Sequence, residues 1–114
     1  MNRGEIWLIN LDPTLGEELK KIRPAVIVND DAIGSLPLKV IVPLTEWKEH
    51  YVKAPWMVRV NPDGENGLNK LSTADTFQVR SVSRKRFIKK VGRLPDPLMQ
   101  KITKALAIVL SIEI

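Results

Sequence analysis

In the stretch Lys20-Lys21-Ile22-Arg23-Pro24-Ala25-Val26-Ile27-Val28, three cations run into a proline and then into an unbroken apolar segment. Ala25 to Val28 reads as a buried strand. Proline suits the first position of such a strand, where no ladder donor is missed. It also keeps the residue before it, Arg23, in extended backbone. Arg23 is therefore expected at the lip of a rigid strand, with its side chain leaving the core beside Lys20 and Lys21. A planar fork of donors held in that setting suits a phosphate oxygen. The same residues also describe an ordinary exposed arginine ahead of a strand. The second polar tip is Thr45. It follows Leu38 to Leu44, an apolar run whose Pro43 puts the strand end at an edge or a bulge. If the two runs are neighbours in a sheet, Arg23 and Thr45 meet.

Composition excludes several chemistries. The chain has no cysteine and a single histidine, His50. Thiolate metal sites, cysteine nucleophiles and multi-histidine metal centres are thus unavailable, and no cofactor is expected. No apolar run approaches the length of a membrane span and the N-terminus lacks a signal-peptide core, so a cytoplasmic, non-membrane protein is expected. The 114 residues suit one domain, with 44% hydrophobic residues for one core. The net charge of +5 is uneven. Residues 1–57 hold 7 Lys/Arg against 8 Asp/Glu, whereas residues 58–114 hold 11 against 5. Arg80 to Arg93 contains seven cations and no anion, which suits a polyanion or an acidic protein partner and equally a solvated charged face.

The elements that must position these groups follow from pattern. Gly4 to Leu11 reads as a central strand, with Trp7, Ile9 and Leu11 on one face and Ile6 and Leu8 on the other. A long charged loop follows, from Asp12-Pro13 through Gly16 to about Ile22. Long charged loops between central strands are commonly functional. Asn29-Asp30-Asp31 can cap a short helical turn ending at Gly34. Trp47, His50 and Tyr51 lie in a polar loop, where they can stack on bases or cover a core edge. Trp56 to Val60 and Ser72 to Val79 read as extended, Arg80 to Arg86 as short and basic, and Phe87 to Leu94 as a strand with a possible bulge at Gly92. Asp96 at the cap and Pro97 in the first turn open one long helix with Met99, Ile102, Leu106 and Val109 on its apolar stripe. The fold class is mainly β with a C-terminal α-helix, as a small barrel.

Arg3-Gly4-Glu5-Ile6-Trp7-Leu8, Leu11-Asp12-Pro13-Thr14, Arg23-Pro24-Ala25-Val26-Ile27-Val28, Pro43-Leu44-Thr45 and Gln78-Val79-Arg80-Ser81-Val82 occur in that order over nearly the whole chain. Together with the terminal helix they resemble the MazF/PemK toxin family. The resemblance implies an SH3-like barrel, a homodimer and an acidic antitoxin partner. It implies a metal-independent, sequence-specific endoribonuclease that cuts single-stranded RNA to 2′,3′-cyclic phosphate and 5′-hydroxyl ends. It maps catalytic roles onto Arg23, Thr45 and the loop glutamate Glu18. Some members carry histidine in the first loop or directly before the arginine, where this chain has Glu17 and Ile22. Some carry an acidic residue before the later glutamine, where this chain has Phe77 ahead of Gln78, with Asp75 nearby.

The chemistry of that reaction fits these side chains unequally. A guanidinium suits phosphorane charge but is a poor base at neutral pH. Glu18 is the easier proton acceptor if its loop comes close, and Thr45 can orient the 2′-hydroxyl or a phosphate oxygen. Lys20, Lys21 and Arg80 would hold flanking phosphates, with Gln78 as a further substrate-binding residue. Two other readings remain: a gyrase-poisoning CcdB-like toxin, and a non-catalytic basic SH3-like binding module.

Overall fold

Two apolar faces on the first strand fix the architecture. The computed structural model describes residues 1–33 and 35–113. Strand β1 (Glu5–Asn10) sends Ile6 to one side and Ile9 to the other, and both are fully buried. A strand buried on both faces belongs inside a sheet. β1 is indeed paired on both edges, antiparallel to β2 (Ile22–Ile27) and to β7 (Phe87–Arg93). The β1–β7 register slips between Ile6↔Gly92 and Trp7↔Lys90, so a bulge lies beside Gly92 as its position suggested.

β3 (Leu38–Glu46) pairs with β2 along one edge and divides the other. Its first half pairs with β6 (Arg80–Ser83), and its last residues, Leu44 to Glu46, pair with β5 (Ser72–Asp75). β4 (Met57–Val60) adds to β5, giving the order β4-β5-β3-β2-β1-β7 with β6 on β3. The expected barrel is thus an open sheet whose ends are β4 and β7. The chain between β4 and β5 lies against β7 instead, where the Glu65 carbonyl accepts the Arg93 N–H at 2.9 Å. Gly92 permits that approach, since a Cβ there would lie 2.4 Å from the Glu65 carbonyl oxygen.

Helix α1 (Asp96–Leu110) closes one face of the sheet. Met99, Ile102 and Ala105 pack on Ile6, Val26, Val42, Leu44, Val58 and Val60. Burying a side chain such as Ile102 contributes about 2–3 kcal/mol. Pro95 is the N-cap and Asp96 is the first helical residue, so the helix starts one residue earlier than the capping pattern suggested, and no side chain caps the turn. Ser111 ends the helix in the left-handed region, with the Ile112 N–H bonded to Ala107 O at 2.8 Å. Among the described residues no helix is long and apolar enough to cross a membrane. The opposite face of the sheet buries Ile9, Leu11, Ala25, Ile27, Ile41 and Val82 under Trp7, Phe87 and Leu19, the last from the loop between β1 and β2.

Two local departures from the sequence pattern bear on function. β2 begins at Ile22, so Arg23 lies inside the strand and not ahead of it. The extended run from Ser72 breaks after Asp75 into a single 3₁₀ turn, Thr76–Gln78, because the Asp75 carboxylate accepts the Phe77 N–H at 3.2 Å. The turn anticipated after Asn29 forms at Asp31–Ile33, with Asp30 accepting the Ala32 N–H. Its proposed end, Gly34, lies outside the described residues.

Candidate active site

One proline, Pro24, opens the site. The β2–β3 ladder runs from Ile27↔Ile41 only to Ala25↔Pro43. Pro24 lacks the N–H that would face Leu44, so main-chain pairing with β3 ends there while both strands continue; the donor that Pro43 lacks would face the other edge, where β3 passes from β6 to β5. The same register places Arg23 opposite Thr45, two positions beyond the last paired one. Their side chains meet: Arg23 Nη1 donates to Thr45 Oγ1 at 3.3 Å. Arg23 Nε donates to the Lys20 carbonyl at 2.9 Å, which fixes the plane of the guanidinium. Both residues are half-buried, so the pair is supported from behind and reachable from in front.

The pair lies on the wall of a cleft of about 600 Å³. Leu8, Pro24, Leu44, Leu68 and Val91 give it an apolar floor, while Arg23, Lys48, Lys70 and Lys89 surround it with positive charge. Glu46 is the one carboxylate on its described lining, and Asn69 and Ser72 add neutral hydrogen-bonding groups. The arrangement can attract a polyanion, desolvate part of it and bring a guanidinium, a hydroxyl and a carboxylate to one linkage. Lys48, Lys70, Lys89 and Glu46 were not singled out from the sequence. Only Glu46, adjacent to Thr45, carried a signal, since a residue next to a strand-end hydroxyl shares its position.

The other expected site residues are placed elsewhere. Glu18 is exposed, and its carboxylate accepts the Leu15 N–H at 2.8 Å within its own loop. It lines a second hollow, of about 460 Å³, together with Gln78 and Arg80. No described hydrogen bond joins Glu18 to Arg23 or Thr45. Gln78 is engaged at both ends of its amide: Oε1 accepts the Leu19 N–H at 2.6 Å and Nε2 donates to Asp75 Oδ2 at 3.0 Å. Arg80 Nη1 donates to the Leu11 carbonyl at 3.4 Å, and Arg86 reaches the carbonyls of Asn10 and Asp12. Part of the basic segment therefore holds the end of β1. Lys20 and Lys21 are exposed beside Arg23, with Lys21 in the left-handed region at φ 69° and its N–H on Asp12 Oδ1.

Two carboxylates titrate away from their ordinary values. Burial pushes Asp75 up, against the opposing bonds from Gln78 and Phe77. At Glu5 burial also pushes up but is outweighed by the Trp7 indole N–H, the Asn2 backbone, the N-terminal ammonium and Lys90, so its carboxyl sits below the usual range. The aromatic loop residues pack on one another and on Arg59. Trp47 and Tyr51 meet edge-on at 5.9 Å, and the Arg59 guanidinium lies 5.5 Å over the Trp47 ring.

The fold is thus a small open β-sheet backed by one helix, with an arginine–threonine pair in a cationic cleft. The chain belongs to the family described as "PemK-like, MazF-like toxin of type II toxin-antitoxin system", whose model matches residues 2–110. It is similar to Endoribonuclease PemK of Escherichia coli, at 34% identity over 113 residues, covering 97% of this chain and 83% of that protein. It is similar also to Endoribonuclease MazF9 of Mycobacterium tuberculosis, at 30% identity over 113 residues, covering 93% of this chain and 92% of that protein. In fold it resembles MazF of Deinococcus radiodurans, with a TM-score of 0.81 at 21% identity over 97% of this chain and 96% of that one. It likewise resembles a mycobacterial endoribonuclease solved in complex with its cognate antitoxin, with a TM-score of 0.78 at 20% identity over 100% and 98% of the two chains.

Proposed function

We propose that this endoribonuclease toxin cuts single-stranded RNA at chosen sequences by attack of the ribose 2′-hydroxyl on the adjacent phosphorus. The observation that carries this reading is the Arg23 Nη1–Thr45 Oγ1 contact of 3.3 Å on the wall of the cationic cleft. The 2′-oxygen forms a bond to phosphorus and gives up its proton. The bond from phosphorus to the 5′-oxygen breaks, and that oxygen gains a proton. The products are a 2′,3′-cyclic phosphate and a 5′-hydroxyl. The nucleophile belongs to the RNA, so no metal ion is needed to generate it.

Arg23 holds the phosphorane oxygens with the N–H groups left over from Lys20 and Thr45. Thr45 accepts from Arg23 and turns its own O–H toward the substrate, orienting the 2′-hydroxyl or a phosphate oxygen. Glu46 is the carboxylate positioned to accept the 2′-proton. Glu18 takes that role only if its loop leaves the Leu15 N–H. Lys20, Lys21, Lys48, Lys70 and Lys89 neutralise flanking phosphates without choosing sequence. Asn69, which offers both donor and acceptor, suits reading of an unstacked base edge. The toxin acts as a homodimer, and an acidic antitoxin opposes it by covering the same positive surface.

The test is a digest of one long unstructured RNA with and without EDTA, followed by end analysis. Products that polynucleotide kinase labels directly, and whose 3′ ends resist polymerase extension, are expected in both digests. Inhibited supercoiling without RNA cutting would identify a gyrase poison, and RNA binding alone a non-catalytic module. Either result overturns the reading.

A further inference from the structure

We infer that Asp75 and Gln78 form a positioning relay that sets the orientation of Arg23. The inference rests on Arg23 being the charge-stabilising group proposed above. Six side-chain and main-chain groups connect in series. Asp75 Oδ2 accepts from Gln78 Nε2 at 3.0 Å, and Gln78 Oε1 accepts from the Leu19 N–H at 2.6 Å. One residue further along the chain, the Lys20 carbonyl accepts from Arg23 Nε at 2.9 Å. Arg23 Nη1 then reaches Thr45 Oγ1 at 3.3 Å.

Donor and acceptor identities leave one arrangement. The Leu19 N–H can only donate, so the amide oxygen of Gln78 must face it. The amide nitrogen then faces Asp75, which must accept. Asp75 is itself held, because its other oxygen accepts the Phe77 N–H at 3.2 Å. Asp75 is only 6% exposed and lies at the end of β5, which pairs with β3 and β4. The relay thus runs from a rigid sheet position to an otherwise exposed loop. Without it, the loop between β1 and β2 is tied near its ends, by the Leu11 N–H on Lys21 O and by the Lys21 N–H on Asp12. The Lys21 N–H shares its peptide plane with the Lys20 carbonyl, so Asp12 holds that carbonyl from one side while the Gln78–Leu19 bond fixes the chain one residue ahead of it; the carbonyl in turn fixes the guanidinium plane. Gln78 accordingly serves the site through Leu19 and not by touching RNA.

An exchange of the two polar groups tests this. In Asp75→Asn, keeping the bond from the Phe77 N–H turns the new amide nitrogen toward Gln78 Nε2. No flip of the Gln78 amide then satisfies both that nitrogen and the Leu19 N–H. In Gln78→Glu, two carboxylates face each other. In the double variant the polarity is restored: the new amide at 75 donates to the new carboxylate at 78, whose other oxygen accepts the Leu19 N–H. Net charge is unchanged in the double variant. The readouts are kcat and KM for RNA cleavage, with hydrogen exchange of the Leu19 amide. Each single variant is expected to lower kcat roughly 10- to 100-fold, since small misplacement at a reacting centre costs that much. KM should stay within about threefold, Leu19 protection should fall, and the double variant should regain both kcat and protection. Unchanged Leu19 protection in the single variants, no rescue by the double variant, or a change confined to KM would overturn the relay. If the carboxylate pair prevents folding, Gln78→Met keeps the volume without polar ends and must give the same loss of kcat and protection. A wild-type protein that cuts no RNA would defeat the functional reading instead, while Leu19 exchange would still decide whether the latch exists.

Discussion

Arg23→Lys separates charge from geometry at the site. Lysine retains the positive charge but presents one ammonium on a flexible stem in place of a planar fork. In the wild type one of the five N–H groups of Arg23 is held by Lys20 O and one by Thr45 Oγ1, leaving three for substrate. Because the Nε bond to Lys20 fixes the plane, those three are aimed before RNA arrives. An ammonium that keeps the Lys20 contact cannot also reach Thr45 and clamp two phosphorane oxygens. The variant therefore loses at least one preorganised, charge-assisted donor in the transition state. Such a loss is worth about 3 kcal/mol, or a kcat lower by roughly two orders of magnitude. KM should change by less than about threefold, because the charge persists and Lys48, Lys70 and Lys89 still surround the cleft. The assay is single-turnover and steady-state cleavage of a labelled RNA, with thermal unfolding as the control for folding. A kcat within about threefold of wild type, or a loss carried wholly by KM, would refute the claim that the fork geometry matters.

Three further outcomes are expected. Glu46→Gln should lower kcat about 100-fold, whereas Glu18→Gln should cost far less; the opposite ranking would return the acceptor role to Glu18. Gly92→Ala should destabilise the fold by about 1–3 kcal/mol and lower the melting temperature by roughly 5–15 °C, because the added Cβ would meet backbone atoms of Glu65 and Asn66 at 2.4 and 2.5 Å; an unchanged melt would show that this contact relaxes freely. The two shifted carboxylates should respond to pH in opposite senses in urea unfolding. Glu5 has a lowered folded pKa, so its contribution is present at neutral pH and is lost as pH falls through that value; the deficit of Glu5→Gln should therefore shrink on acidification. Asp75 has a raised folded pKa, so its contribution is present below the ordinary carboxylate value and is lost as pH rises through the raised one; a carboxyl titration by NMR should place its midpoint above the ordinary range.

The fold was readable wherever burial on both faces or one helical stripe left little choice. β1 is an example: Ile6 and Ile9 alternate across the strand, and both prove fully buried. The helix stripe is another, with Met99 and Ile102 in the core. Closure of the barrel was not readable, because it depends on β4, a strand of only four residues, reaching β7. Glycine at 92 brings loop backbone into that gap instead. Of the candidate site, Arg23 and Thr45 were legible because Arg23 precedes a proline that opens an apolar run and Thr45 closes another, and the pattern of a strand end is local. Glu46 and the lysines at 48, 70 and 89 were not, since they come from three separate segments that only the folded sheet brings together. Gln78 drew notice by its place in a motif, but its partners, Leu19 and Asp75, are fixed by the tertiary path of the loop.

This division has a mechanistic consequence that centres on β3. The strand is paired with β2 on one edge, and with β6 and then β5 on the other. Its last residues, Thr45 and Glu46, are held by β5 opposite Thr73 and Ser72, while β2 has already let go on the other side. One edge therefore supplies rigidity and the other supplies access. A hydroxyl held by a ladder on one side, facing an open wedge on the other, needs little reorganisation when an RNA phosphate enters. Arg23 has the complementary arrangement: it is paired through β1 at Ile9 and is unpaired toward β3. The Arg23 and Thr45 side chains thus face each other across a gap that Pro24 keeps free of a main-chain bond. Replacing Pro24 by a residue with an N–H would let the ladder extend to Leu44 and narrow that gap. The expected result is a more stable protein with a lower kcat, a trade that a merely structural proline would not produce.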